Sequence, residues 1–97
     1  MEVTVTERYK INTERVVWSI LPDEILITDK TSYEIFGLKD IALAIWLHLE
    51  KGDSIENITY TLIKKYNISY EIMYSDIKNF IIGLSEMNLI IKYDENS

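Results

Sequence analysis

The sequence predicts an α+β domain of winged helix-turn-helix-like kind, with a three-stranded antiparallel N-terminal sheet followed by three helices. Three observations carry that expectation. Residues 16–36 hold three short runs rich in β-branched and aromatic side chains, separated by polar turn signals. From residue 41 onward apolar residues recur at helical spacing in three segments, each with its own start and stop signals. A short apolar run at 89–91 closes the pattern. Strands at one end and helices at the other are the α+β arrangement.

Residues 16–19 (Val16, Val17, Trp18, Ser19) form the first expected strand. Leu21-Pro22-Asp23-Glu24 follows, with proline where a type I turn wants a fixed φ. The second strand spans 24–28 and the third 32–36, with the polar break Asp29-Lys30-Thr31-Ser32 closing a hairpin between them. Gly37 is expected to let the chain turn sharply and Asp40 to cap the first helix. That helix, 41–51, is apolar nearly all round (Ile41, Leu43, Ile45, Trp46, Leu47, Leu49), so it must be covered on most faces. Gly52 supplies its stop. The second helix, 55–66, has Asp53 and Glu56 placed like a capping box, or Ser54 as the cap instead. Its stripe is Ile55, Ile58, Leu62, Ile63 and Tyr66. The third helix follows Ser69 and ends near Met87, with Met73, Ile77, Phe80, Ile81, Leu84 and Met87 at helical spacing. Asn88 suits a left-handed exit, after which Leu89-Ile90-Ile91 reads as a short strand. The expected organisation is a loosely held arm over 1–15, a folded domain over 16–93 and a frayed tail over 94–97.

At 97 residues the chain is one small domain, and a hydrophobic fraction of 47% is enough for a core and too high for disorder. With no cysteine there is no disulfide framework and no thiolate chemistry. A net charge of −6 weighs against binding nucleic acid, which needs clustered Lys and Arg. No run approaches the roughly 20 apolar residues that span a bilayer, and the N-terminus lacks the pattern of a signal peptide. A cytoplasmic protein is the expectation. Catalytic chemistry is thin: His48 is the only histidine, no serine sits in a nucleophile elbow, and three glycines make no phosphate cradle. Neither a metal nor another cofactor is expected. The carboxylates fall in turns and early helical turns, where capping and the helix dipole account for them. Two features stand out. Seven tyrosines, among them Tyr66, Tyr70 and Tyr74, suit either a recognition surface or an ordinary core. The third strand, last in its sheet, offers a free edge to which an extended peptide can add.

Taken jointly, the apolar spacings resemble the PqqD-like family, the RiPP recognition elements. The matching features are Leu38 at the end of an aromatic strand, Ile45-Trp46, Gly52-Asp53-Ser54-Ile55, Tyr66-Asn67-Ile68, Asp76-Ile77, and Leu84 followed by Leu89-Ile90. The resemblance spans about residues 16–93. The departure is Lys39, where an Asn often follows the Leu. Such domains bind the leader segment of a ribosomally made precursor peptide as an added antiparallel strand, packed against the third helix. The resemblance therefore implies a peptide-binding edge at Ser32, Tyr33, Glu34, Ile35, Phe36 and Gly37. It implies a groove lined by some of Tyr33, Ile35, Met73, Ile77, Phe80 and Ile81, with Asp76 and Lys78 near charged leader residues. It also implies a non-catalytic protein whose partners are a precursor leader and a maturation enzyme or leader peptidase. The lasso-peptide type comes first and pyrroloquinoline quinone assembly second. From other classes, a winged-helix transcriptional regulator would need a basic recognition helix, whereas Lys78 stands against Glu71, Asp76 and Glu86. An edge-paired homodimer would use the same strand.

Overall fold

The computed structural model describes residues 8–93. It contains β1 (Arg8–Ile11), β2 (Val16–Ile20), β3 (Ile25–Asp29), β4 (Ile35–Leu38), α1 (Asp40–Lys51), α2 (Ile55–Tyr66), α3 (Tyr70–Glu86) and β5 (Ile90–Tyr93). Strands β2, β3 and β4 form the expected antiparallel meander, in that order, with β4 at one edge. The three helices fall where their periodicity placed them, and α+β is the observed class.

A second sheet was not expected. Residues 8–11 belong to the stretch read as a loose arm, yet they pair antiparallel with β5, from Arg8↔Tyr93 to Ile11↔Ile90. Tyr9 and Ile11 are buried while Lys10 between them is exposed, the period-two pattern of a half-buried strand. Its partner lies at the far end of the chain, so nothing local to the sequence announced the pairing. The backbone N–H of Asn12 donates to Leu89 O at 3.0 Å and its side-chain amide to Asn88 O at 2.9 Å, extending the tie past the strand. Asn88 does take the left-handed conformation, with φ 62°. Residues 12–15 of the expected arm turn into β2, with Arg15 N and Val16 N donating to Asn12 O, and 1–7 and 94–97 lie outside the described residues.

The core lies where α1, α2, α3 and the inner face of the meander meet. Val16, Ile25, Ile27 and Leu38 come from the strands; Ile45, Trp46, Leu49, Ile55, Ile58, Leu62, Met73, Ile77, Ile81 and Leu84 come from the helices. Trp46 is fully buried, its ring edge-on to Trp18 of β2 at 5.6 Å between centroids. That T-shaped contact adds roughly 0.5–1.5 kcal/mol beyond the area buried. Helix α1 is covered on most sides, as its composition required: besides Ile45, Trp46 and Leu49, residues Ile41, Ala42, Leu43, Ala44 and Leu47 pack against the core.

At the helix starts two expectations need correction and one alternative is decided. Asp40 does not cap α1: it is the helix's first residue, with φ 54°, and Lys39 precedes it in extended conformation without a side-chain cap bond. Gly37 does not make the turn either. It lies within β4 opposite Leu26, and the left-handed turn falls on Asp40. For α2 the cap is Ser54, whose hydroxyl accepts from the Asn57 amide at 3.1 Å. Asp53 instead meets His48 Nδ1 at 2.7 Å across the Gly52 turn, so His48 is a half-buried partner of the α1–α2 connection. Gly52 itself has φ 84°, as expected of a helix stop.

A candidate peptide-binding edge

Strand β4 pairs only with β3, so one of its sides has no partner strand among the described residues. Which groups face that open side follows from the ladder. Asp29 uses its N–H and C=O on the β4 side, donating to Glu34 O at 2.9 Å and accepting from Tyr33 N at 2.7 Å. The alternation of an antiparallel ladder then turns Ile27 and Ile25 to their partners Phe36 and Leu38. Lys30, one residue on, donates across to Arg15 O on the β2 side, as the same alternation demands. The backbone donors and acceptors of Ile35 and Gly37 are therefore left on the free edge.

The side chains sort by the same pleat. Phe36 and Leu38 point inward, Leu38 buried and Phe36 half-buried against the core. Ile35 points outward and is 66% exposed, in register with Thr28 and, beyond it, the exposed Val17. The expected edge of 32–37 is thus shorter than supposed. Ser32, Tyr33 and Glu34 are exposed turn residues, and the strand begins at Ile35. The cause is the turn chemistry of Asp29. Its Oδ1 accepts from Thr31 N at 2.8 Å and Ser32 N at 3.3 Å, which holds the chain in a turn for longer than the polar run suggested. Tyr33 leaves that turn in the left-handed region, φ 65°, and the residue is 81% exposed. A bulky aromatic rarely adopts that conformation, and such strain concentrates at ligand sites.

Asp29 is the buried anchor of this hairpin. Burial pushes its carboxyl up, but the Thr31 and Ser32 amides, the Arg15 guanidinium and the Ser32 hydroxyl pull it down further. The net result lies below the ordinary carboxylate value. Arg15 Nε sits 3.1 Å from both carboxylate oxygens.

Helix α3 contributes less to a surface than the resemblance implied. Met73, Ile77 and Ile81 are 1%, 0% and 0% exposed, so the expected groove lining lies in the core beneath any ligand. Of the named helix residues, Asp76 is exposed and Phe80 half-buried. The flank toward α2 carries a tyrosine ladder, with Tyr60–Tyr70 at 5.0 Å and Tyr70–Tyr74 stacked at 5.8 Å, and with Lys78 over the Tyr74 ring at 5.8 Å. Burial first, then the neighbouring Tyr60, Glu56 and Tyr74, raise the Tyr70 hydroxyl above its ordinary value. A shallow hollow of about 340 Å³ follows, lined by Tyr74, Ser75, Lys78, Asn79 and Ile82. This hollow does not lie at the β4 edge, and an added strand needs none.

Among the described residues no group of three or more His, Asp or Glu could hold a metal ion, and no helix is long and apolar enough to cross a membrane. Sequence reasoning missed Tyr33's backbone, which only the length of the turn reveals. It also missed Glu24, whose carboxylate reaches across to Gly37 and would collide with any side chain added there.

A small α+β domain with an open, apolar strand edge beside a helical core is a peptide-binding class of architecture. The chain matches the family described as Coenzyme PQQ synthesis protein D (PqqD) over residues 24–90, and it belongs to that family. Two solved structures share the fold at TM-score 0.78. One is TbiB1 in complex with the TbiA(beta) leader peptide, 26% identical, covering 84% of this chain and 93% of that one. The other is lasso peptide synthetase B1 complexed with the leader peptide, at 19% identity and with 86% and 96% covered. No curated protein is similar enough to the chain to count as a relative.

Proposed function

We propose that this protein binds the leader segment of a ribosomally made precursor peptide as a strand added to β4, and presents the precursor to a separate maturation enzyme or leader peptidase. It does this without catalysing a reaction itself, in the cytoplasm. The observation that carries the reading is the free side of β4, where Ile35 and Gly37 have backbone groups open beside an exposed apolar side chain. Main-chain bonds to those two residues give affinity, and alternate side chains of the leader give selectivity. Membership of the PqqD family and the likeness to TbiB1, whose structure holds a leader peptide, support it. A lasso-type precursor is the first reading and pyrroloquinoline quinone assembly the second.

The site that fits this reading is Ile35 and Gly37 at the edge, with Ser32, Tyr33 and Glu34 in the turn before it. Phe36 on the inner face of β4 and Phe80 on α3 are half-buried, and Asp76 is exposed on α3. Met73, Ile77 and Ile81 act from beneath, holding the helix in place.

The test is an amide NMR titration of the labelled chain with the leader peptide encoded beside its gene. Strand addition shifts the Ile35 and Gly37 amides first and leaves Ile27 and Ile25, already bonded inward, nearly still. Shifts confined to other elements, or none at all, would sink the reading. Concentration-dependent shifts at the same amides without peptide would point to a homodimer paired through β4.

A further inference from the structure

We infer that Glu24 is a specificity-determining residue of the β4 edge, selecting a lysine or arginine in the strand that adds there. The inference rests on the strand-addition reading and deepens it. Glu24 closes the turn before β3, its carbonyl accepting from Leu21 N at 2.8 Å. By alternation its side chain lies on the outer face of the sheet, with Leu26 and Thr28. From there it reaches diagonally to β4. A Cβ built on Gly37 would collide with the Glu24 carboxylate oxygen, with Glu24 Cδ at 3.4 Å and Leu26 Cδ2 at 3.8 Å. The carboxylate thus fills the place of the side chain that Gly37 lacks, at the rim of the sheet. Among the described residues none gives the Glu24 carboxylate a hydrogen bond or ion pair.

The position matters because Gly37 is one of the two residues whose backbone is open. In an antiparallel addition, the leader residue opposite Gly37 carries its side chain on the same outer face, about 5 Å from where a Gly37 Cβ would be. That side chain meets the Glu24 carboxylate directly. The added strand also removes water from one side of the carboxylate, so a neutral or acidic partner leaves a charge poorly solvated. A lysine or arginine pairs with it through charge-assisted hydrogen bonds. The surroundings act in the same direction. Asp23, beside Glu24, and Asp40, just past the end of β4, flank Lys39, while Lys30 and Arg15 lie at the opposite, Glu34 end of the strand, in a chain of net charge −6. The leader residue two positions later faces Ile35, whose exposed side chain favours an apolar partner. Read from N to C, the leader motif is basic, any residue, apolar.

The probe is the synthetic leader peptide encoded beside this gene, fluorescently labelled and titrated by anisotropy into the full chain. Glu24→Gln, which keeps shape and removes charge, is expected to weaken binding about fivefold and to flatten its salt dependence. Glu24→Lys weakens it further, and one leader variant with a single Lys or Arg changed to Glu restores affinity to Glu24→Lys while binding the native chain poorly. Gly37→Ala, which displaces the carboxylate at small cost to the fold, behaves like Glu24→Gln. If Glu24→Gln and native protein bind the leader with equal affinity and equal salt dependence, while Ile35→Pro abolishes binding, this inference is overturned and strand addition stands. No charge-reversed leader rescuing Glu24→Lys overturns it too. Failure of the native chain to bind the leader removes both.

Discussion

Strand β4 and helix α3 both carry apolar residues at a regular period, and the two elements use them in opposite ways. On α3 the stripe Met73, Ile77, Ile81 and Leu84 is buried almost completely. On β4 the outward residue Ile35 is two-thirds exposed, and the neighbouring backbone groups have no strand to bond. The difference is one of neighbours. A helix satisfies its own backbone, so its apolar face is free to be buried in the core, where α3 meets α2 and β5. A strand depends on others for its hydrogen bonds, so the last strand of a sheet is incomplete by construction. On the proposed reading, recognition belongs to the strand, and the helix supplies support.

The comparison breaks first if the α3 stripe is not core. Ile77→Ala deletes side-chain volume from a site with no exposed surface, and is expected to cost about 2–5 kcal/mol of unfolding free energy by urea denaturation. A loss well under 1 kcal/mol would return Ile77 to a ligand-facing role. Next in size comes Ile35→Pro. Because the Ile35 N–H points to the free side, proline removes a donor the leader would use and none that β3 uses. Leader affinity should fall at least about tenfold, the scale of one or two lost main-chain bonds, with thermal stability nearly unchanged. If the variant stays folded and binds as before, β4 is not the docking strand.

Much of this division was legible in the sequence. The meander, the three helices, the Gly52 stop and the Ser69 cap follow from turn residues and periodicity, which act over a few positions. What stayed hidden depended on distance or on face. Arg8 to Ile11 has the alternation of a strand, but its partner is residues 90–93, and no local signal joins the two ends of a chain. The stripe on α3 was visible, but periodicity says that a face is apolar without saying what covers it. The groove that the resemblance implies over some of Met73, Ile77 and Ile81 therefore falls on residues that are core. The start of β4 was misplaced because one Asp29 carboxylate bonds two successive amides and prolongs the turn.

That same carboxylate gives a pH test of how the edge is held. Its folded value lies below the ordinary 3.8, so the stability it contributes is fully present above that value. It is lost as pH falls through the lower folded value, when protonation breaks the Arg15 pair and weakens the Thr31 and Ser32 bonds. Asp29→Asn should be less stable than the native protein at neutral pH, and the gap should narrow on acidification below about 4. A constant gap from neutral pH down to 2 would mean that the charge of Asp29 is not what holds the hairpin. At the β4 end of the turn, the Ile35 and Gly37 amides should broaden in the Asn variant, since the strand's N-terminal anchor is loosened.

The smallest effect concerns Tyr33. Its φ of 65° costs an aromatic residue on the order of 1 kcal/mol, and asparagine tolerates that region better. With the residue 81% exposed, Tyr33→Asn removes little packing and should raise stability by a few tenths of a kcal/mol. If the ring instead serves the leader, the same change weakens binding. A variant slightly more stable and clearly poorer at binding would show that the strain is kept for recognition. One that loses stability would place the tyrosine ring in packing contacts that its exposure denies, and would return the turn before β4 to the structural side of the comparison.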